Sequence, residues 1–206
     1  MLHFKTIDSK TLELLRKILA IDIFNNLRLV GGTSLALQIG HRISVDIDLF
    51  GKLDADDISI KRELNKLGEL KTLHKTENIN IHTVDGVKVD IVNYPYPWLE
   101  NEVANSDLRL ASKGDIGAMK LAAITGRGTK KDFIDLFFLL KEFSLDELLE
   151  FYNEKYHDGS IFIVLRSLVY FEDADSDLMP NMMEDISWAM VKESIINAVK
   201  NQIEEK

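Results

Sequence analysis

Two aspartates one residue apart, Asp46 and Asp48 in Val45-Asp46-Ile47-Asp48-Leu49, combine acidity and spacing in a way that could do chemistry. Acidic and apolar positions alternate as in a strand, which sets both carboxylates on one face about 7 Å apart and sends Val45, Ile47 and Leu49 to the core. Carboxylates so placed repel each other unless a hard divalent cation lies between them. Mg²⁺ prefers oxygen ligands and commonly takes one or two carboxylates together with substrate phosphates. Phosphoryl-type transfer uses such sites because charge builds on both the attacking and the leaving oxygen, and two metal ions about 4 Å apart neutralise both. Taken alone, the pair more often merely lines the solvated face of an edge strand.

The residues upstream favour the first reading. Leu29-Val30 reads as a short buried strand that runs into Gly31-Gly32-Thr33-Ser34, and a helix follows from Thr33 to Ile39. Free backbone amides at the start of that helix, with the Thr33 and Ser34 hydroxyls, could hold phosphates. Asp90, in Lys88-Val89-Asp90-Ile91-Val92-Asn93, supplies a third carboxylate on another strand. It is the candidate to orient or deprotonate an attacking hydroxyl; the competing reading is a Lys88–Asp90 surface pair, which contributes little. Arg42, just before the aspartate strand and next to His41, could grip a phosphate bidentately or belong to an ordinary surface loop.

The blocks LVGGTSLALQIGHRISVDIDLF, KVDIVN and MKLAAITGRGTKKDFIDLFFLL resemble the AbiEii/AbiGii family of nucleotidyltransferase toxins, within the larger polymerase-β-like nucleotidyltransferase group. The resemblance covers about residues 28–142. It implies a phosphate-binding and D-x-D motif at Gly32, Ser34, Asp46 and Asp48, a second motif at Lys88, Asp90 and Asn93, and a functional lysine at Lys120. The wider group usually shows Gly-Ser where this chain has Gly-Gly-Thr-Ser, so the phosphate hydroxyl could be that of Thr33 or Ser34. The resemblance further implies a nucleoside triphosphate substrate, two Mg²⁺ ions (with Mn²⁺ as the alternative), an antitoxin partner, and an acceptor that in some relatives is the 3′ end of tRNA.

Lys120 and Arg127 stand at i and i+7 on one helical face, provided the helix that opens at Ser112 survives Gly126 and Gly128. In the helix expected over residues 130–141, Lys131, Asp132 and Asp135 form one polar arc in an otherwise apolar circumference. Either Lys131 and Asp135 pair at i, i+4, or the arc positions Lys120 or Arg127. Asp132 is explained as the acidic member of a capping box with Thr129, so Asp135 is the preferred site residue.

These groups need a scaffold. A helix is expected over residues 9–24, another over 54–67 with Asp54 as cap, and two strands, 80–84 and 87–92, joined by an Asp85-Gly86 hairpin turn. From residue 112 the sequence shows repeated capping boxes, Ser112/Asp115, Thr129/Asp132 and Ser144/Glu147, which predict a helical bundle. Pro95 and Pro97 in YPYPW mark a boundary near residue 100. The fold expected is α+β: a polymerase-β-like palm of mixed sheet and flanking helices over 1–100, then a helical domain over 101–206.

Composition limits the alternatives. The chain has 206 residues, 46% of them hydrophobic, enough for one sizeable core or two small ones. No apolar run is long enough for a membrane span and the N-terminus lacks signal-peptide character, so a cytoplasmic protein without a membrane partner is expected. The absence of cysteine excludes disulfides and thiolate metal sites. A net charge of −9 disfavours tight nucleic-acid binding. One basic stretch stands out: Lys113, Lys120, Arg127, Lys130 and Lys131 against the single acid Asp115, a local patch that could meet a tRNA acceptor. Asp173, Asp175, Asp177 and Glu184 match EF-hand positions, but Leu178 replaces the needed glycine. Besides a tRNA-directed toxin, the readings left open are a protein or small-molecule nucleotidyltransferase outside any toxin system and a catalytically silent nucleotide-binding module.

Overall fold

The computed structural model describes residues 1–204, which divide into two compact units, 1–96 with 101–111 and 97–100 with 112–204. The first unit contains α1 (Ser9–Leu19), β1 (Arg28–Leu29), α2 (Gly31–Ile39), β2 (Ile47–Gly51), α3 (Asp57–Asn65), β3 (Leu70–Lys75), β4 (Ile79–Val84), β5 (Val87–Asn93), β6 (Val103–Asn105) and β7 (Leu108–Leu110). The second contains α4 (Lys113–Gly126), α5 (Lys130–Leu139), α6 (Leu145–Lys155), α7 (Ile161–Leu168), the short α8 (Glu172–Asp175) and α9 (Trp188–Glu204).

In the first unit the strands form one mixed sheet in the order β3-β4-β5-β2-β1-β7-β6. One face is apolar: Ile47 and Leu49 of β2, Val89 and Ile91 of β5 and Val84 of β4 are fully buried with Leu15 and Ile18 of α1 and Leu64 of α3. The alternate residues of β2 and β5 therefore point to the other face and are only half-buried. The β4–β5 turn is the Asp-Gly hairpin, with both central residues in the left-handed region (Asp85 φ 49°, Gly86 φ 84°) that such a two-residue turn requires.

Several element limits differ from the sequence-based expectation. The first helix stops at Leu19, and residues 22–24 continue as a separate 3₁₀ turn. The helix expected from Asp54 starts three residues later, at Asp57, because Asp56 accepts the Ser59 amide and caps it. Val45 is 48% exposed instead of buried, since the paired strand begins only at Ile47. The division expected near residue 100 is also displaced. Residues 101–111 return to the sheet as β6 and β7, with β7 parallel to β1, whereas 97–100 are held by the helical unit. There Asp115 accepts the Leu99 and Glu100 amides, and the fully buried Lys155 donates to both Asp115 (2.7 Å) and the Pro97 carbonyl (2.6 Å). The acidic run after residue 171 opens with the short α8.

The capping pattern read from the second unit is present. Ser112, Thr129 and Ser144 are the N-caps of α4, α5 and α6, and the last two form complete capping boxes with Asp132 and Glu147. Asp115 accepts a hydrogen bond from the Ser112 hydroxyl while serving the 97–100 segment.

Candidate active site

The glycine turn and the aspartate strand meet at the centre of the sheet. Gly31 takes φ +66°, a left-handed conformation that costs a residue with a Cβ about 1–2 kcal/mol, and α2 begins on it at once. Space is as demanding as conformation, because a Cβ on Gly31 would stand 2.4 Å from Oδ2 of Asp48. One on Gly32 would stand 1.9 Å from a guanidinium nitrogen of Arg42. The two glycines thus let the first turn of α2 lie directly against an aspartate and an arginine. Arg42 is 3% exposed and His41 is fully buried, so this segment is not the surface loop pair that the sequence also allowed.

Asp48 and Asp90 face each other as register partners on the adjacent parallel strands β2 and β5. Both are half-buried on the face opposite the apolar core. Lys88 donates to Oδ2 of Asp90 at 2.6 Å, while the buried Oδ1 has no hydrogen-bond partner. A buried carboxylate oxygen left unsatisfied is costly, and its presence points to a ligand. Asp46 lies one residue before β2, half-buried, so of the two aspartates only Asp48 sits within the paired strand. The Asp46 backbone is held instead: the Thr33 hydroxyl donates to the Asp46 carbonyl (2.5 Å) and accepts from the Ser44 hydroxyl (2.9 Å).

That bond also bears on which hydroxyl could meet phosphate. Thr33 is 1% exposed and Ser34 is fully buried, with the Ser34 hydroxyl accepting from Gln38. Both are turned into the protein, and Thr33 acts as a brace between α2 and the Asp46 segment. Asn93, at the end of β5, accepts the Leu53 amide (3.1 Å) and donates to Asn78 (3.1 Å), so it organises the loop after β2.

Divalent cation chemistry fits the Asp48–Asp90 pair. No three His, Asp or Glu side chains among the described residues already converge as a ligand cluster. Two neighbouring carboxylates, one with an open oxygen, nevertheless match the partial protein shell that Mg²⁺ completes with substrate phosphates.

The remaining predicted residues lie in the second unit. Arg127 is the C-cap of α4, which therefore does run through Gly126. Lys120 is 6% exposed and donates to Asp132 (2.9 Å) and Asp135 (2.5 Å), while Arg127 reaches Asp132 at 3.3 Å. Of the two roles weighed for the α5 polar arc, it is the positioning of Lys120 and Arg127 that is observed, and Asp132 takes part as fully as Asp135. Reading Asp132 as a cap alone passed over its second oxygen. Burial pushes the Asp132 carboxyl up, but Lys120, Arg127 and the Thr129 hydroxyl outweigh it and hold it below the usual aspartate range.

The basic stretch is largely consumed within the unit. Lys113 pairs with Glu142, Lys120 with the two aspartates, and the buried Lys130 donates to the backbone carbonyls of Asp175 and Asp177. Lys131 is exposed, and the Arg127 side chain is 71% exposed. The acidic EF-hand-like run is equally occupied: Asp175 binds Trp188 and Lys192, and Asp177 accepts the Lys130 amide at the start of α5. No described helix is long and apolar enough to cross a membrane.

Residues 13–201 match the family model described as "Nucleotidyl transferase AbiEii toxin, Type IV TA system". An uncharacterized Aquifex aeolicus protein, aq_aa25 of strain VF5, is 38% identical over 200 residues, 93% of this chain and 95% of its own. Among solved structures, a "putative nucleotidyltransferase" from H. pylori shares the fold with a TM-score of 0.59 at 19% identity, covering 95% of this chain and 94% of that one. JHP933 from Helicobacter pylori does so with a TM-score of 0.54 at 17% identity, covering 97% and 95%. With a family match that spans nearly its whole length, and with the glycine turn, the aspartate strand and the Asp48–Asp90 pair in place, the chain belongs to the AbiEii family of nucleotidyl transferase toxins.

Proposed function

We propose that this protein transfers a nucleoside monophosphate from a nucleoside triphosphate to an acceptor hydroxyl, with Asp46, Asp48 and Asp90 as the residues that would hold Mg²⁺ or Mn²⁺. The observation that carries the reading is the register pairing of Asp90, whose Oδ1 is buried and unsatisfied, with Asp48, which lies against the glycine-started helix. When bound, the cation would neutralise the phosphates and the developing charge on the attacking and leaving oxygens. The acceptor oxygen attacks the α-phosphorus; the new O–P bond forms as the bond to the β-phosphate oxygen breaks, and pyrophosphate leaves. The Asp90 carboxylate orients the acceptor hydroxyl and takes its proton, while Lys88 holds its Oδ2. Backbone amides of Gly31 and Gly32, with Arg42, are suited to the phosphates.

The acceptor in this reading is the 3′ end of tRNA, and the activity is that of a toxin countered by an antitoxin. The family's description as a type IV toxin–antitoxin component supports the second part. For the first, exposed Arg127 and Lys131 offer a small cationic surface, which on a chain of net charge −9 would give weak, salt-sensitive contact with a few phosphates. The test incubates the protein with Mg²⁺, each α-labelled nucleoside triphosphate, and either tRNA or an RNA-stripped lysate. Label on tRNA that is lost in Asp46→Ala and Asp48→Ala supports the reading. Label on protein alone overturns the tRNA acceptor, and transfer that survives Asp48→Ala overturns the site.

A further inference from the structure

From the face of the sheet that carries Asp48 and Asp90, three aromatic rings follow one another in contact, beginning at Phe50. Phe50 lies two residues beyond Asp48 on β2, and Tyr94 four residues beyond Asp90, one residue past the end of β5, so strand alternation brings both to the side of the carboxylates. The two chains stay in step past the strand ends, because Phe50 is the register partner of Val92 and the Tyr94 amide donates to the Gly51 carbonyl at 2.9 Å. The Phe50 and Tyr94 ring centroids are 5.3 Å apart at 52°, and those of Tyr94 and Tyr96 are 5.1 Å apart at 58°. Phe50 and Tyr94 are half-buried and Tyr96 is 45% exposed, although large aromatics more often bury their faces. Along a strand, two residues span about 7 Å, so the first ring begins about one nucleotide's length from the carboxylate pair.

We infer that Phe50, Tyr94 and Tyr96 form a stacking surface for a nucleobase, next to the site where the phosphates would lie. The inference rests on the transferase reading but adds to it a residue set that neither the sequence motifs nor the family match designates. Partly exposed aromatic rings a few ångströms apart are sequence-tolerant platforms for bases, because every base has a π face. The base could be that of the nucleoside triphosphate or that of a single-stranded acceptor end; the chemistry is shared, and the experiment separates the two.

Calorimetry with Mg²⁺ would compare a nucleoside triphosphate, inorganic tripolyphosphate and a short single-stranded oligoribonucleotide, on wild type, Tyr96→Ala, Tyr94→Leu and Tyr96→Trp. Circular dichroism would confirm that each variant is folded. A base held on the rings gives about tenfold weaker binding in Tyr96→Ala and Tyr94→Leu, with binding retained in Tyr96→Trp and tripolyphosphate unaffected throughout. Loss confined to the triphosphate assigns the nucleotide's own base; loss confined to the oligoribonucleotide assigns the acceptor. If both ligands bind the folded variants as tightly as wild type, the stacking proposal is overturned while the transferase reading stands. If neither the triphosphate nor tripolyphosphate binds wild type at all, it is the underlying transferase reading that fails.

Discussion

Gly31 and Asp48 are in contact through the absence of a side chain: any Cβ on Gly31 would lie 2.4 Å from the aspartate's Oδ2, and the backbone there has φ +66°. Gly31→Ala therefore imposes two penalties at once, a left-handed alanine and a displaced carboxylate. The expected result is a loss of about 1–3 kcal/mol of stability together with loss of nucleotide transfer. Urea unfolding and the labelled-triphosphate assay measure both. An alanine variant with unchanged stability and activity would mean that α2 and Asp48 do not hold each other in place.

Asp90→Asn separates binding from chemistry. It retains the shape of the side chain but lacks the charge that pairs with Lys88 and the oxygen basicity proposed for proton transfer. Calorimetry should show triphosphate binding within a fewfold of wild type, while transfer falls by at least about a hundredfold, the scale of a lost general base. Loss of binding equal to that of Asp48→Ala would move Asp90 from the acceptor to the nucleotide.

Lys120→Met probes the buried cluster of the helical unit. Removing the ammonium leaves Asp132 and Asp135, 1% and 0% exposed in their side chains, without their shared partner. A destabilisation of about 3–5 kcal/mol is expected, the scale of breaking a buried ion pair from one side. Asp135→Asn should cost less, because Lys120 keeps Asp132. Thermal melts of the three proteins rank them; equal melting temperatures for Lys120→Met and wild type would exclude a structural role.

Acid sensitivity should begin at His82. Burial lowers its pKa below the ordinary 6.5, with Lys61 adding to the effect and Asp57 and Asp90 opposing it. The folded state thus holds the ring neutral, and the unfolded chain binds a proton first. Its contribution to stability is complete above about pH 6.5 and is lost as pH falls through the depressed folded value. Urea midpoints measured at pH 7, 6 and 5 should fall for wild type and fall less for His82→Gln. Parallel curves for the two proteins would show that His82 does not set this limb.

What could be read from the chain alone was whatever depends on local spacing. Alternation placed Ile47 and Leu49 in the core and Asp48 and Asp90 on the opposite face, Asp85-Gly86 specified the hairpin, and Ser112, Thr129 and Ser144 announced their helices, because strand pleat, turn dihedrals and end-capping involve residues only a few positions apart. Tertiary structure decided the rest. That Asp48 stands beside Asp90 follows from a parallel register between strands about forty residues apart, and that Lys120 meets Asp135 follows from how α4 packs on α5. Short β6 and β7 went unread because three-residue strands carry too little periodicity and exist only through pairing, β7 with β1 and β6 with β7. The direction of a hydroxyl was equally beyond reach: Thr33 and Ser34 had the chemistry to bind phosphate, but the packing of α2 against the Asp46 segment and Gln38 turns both inward.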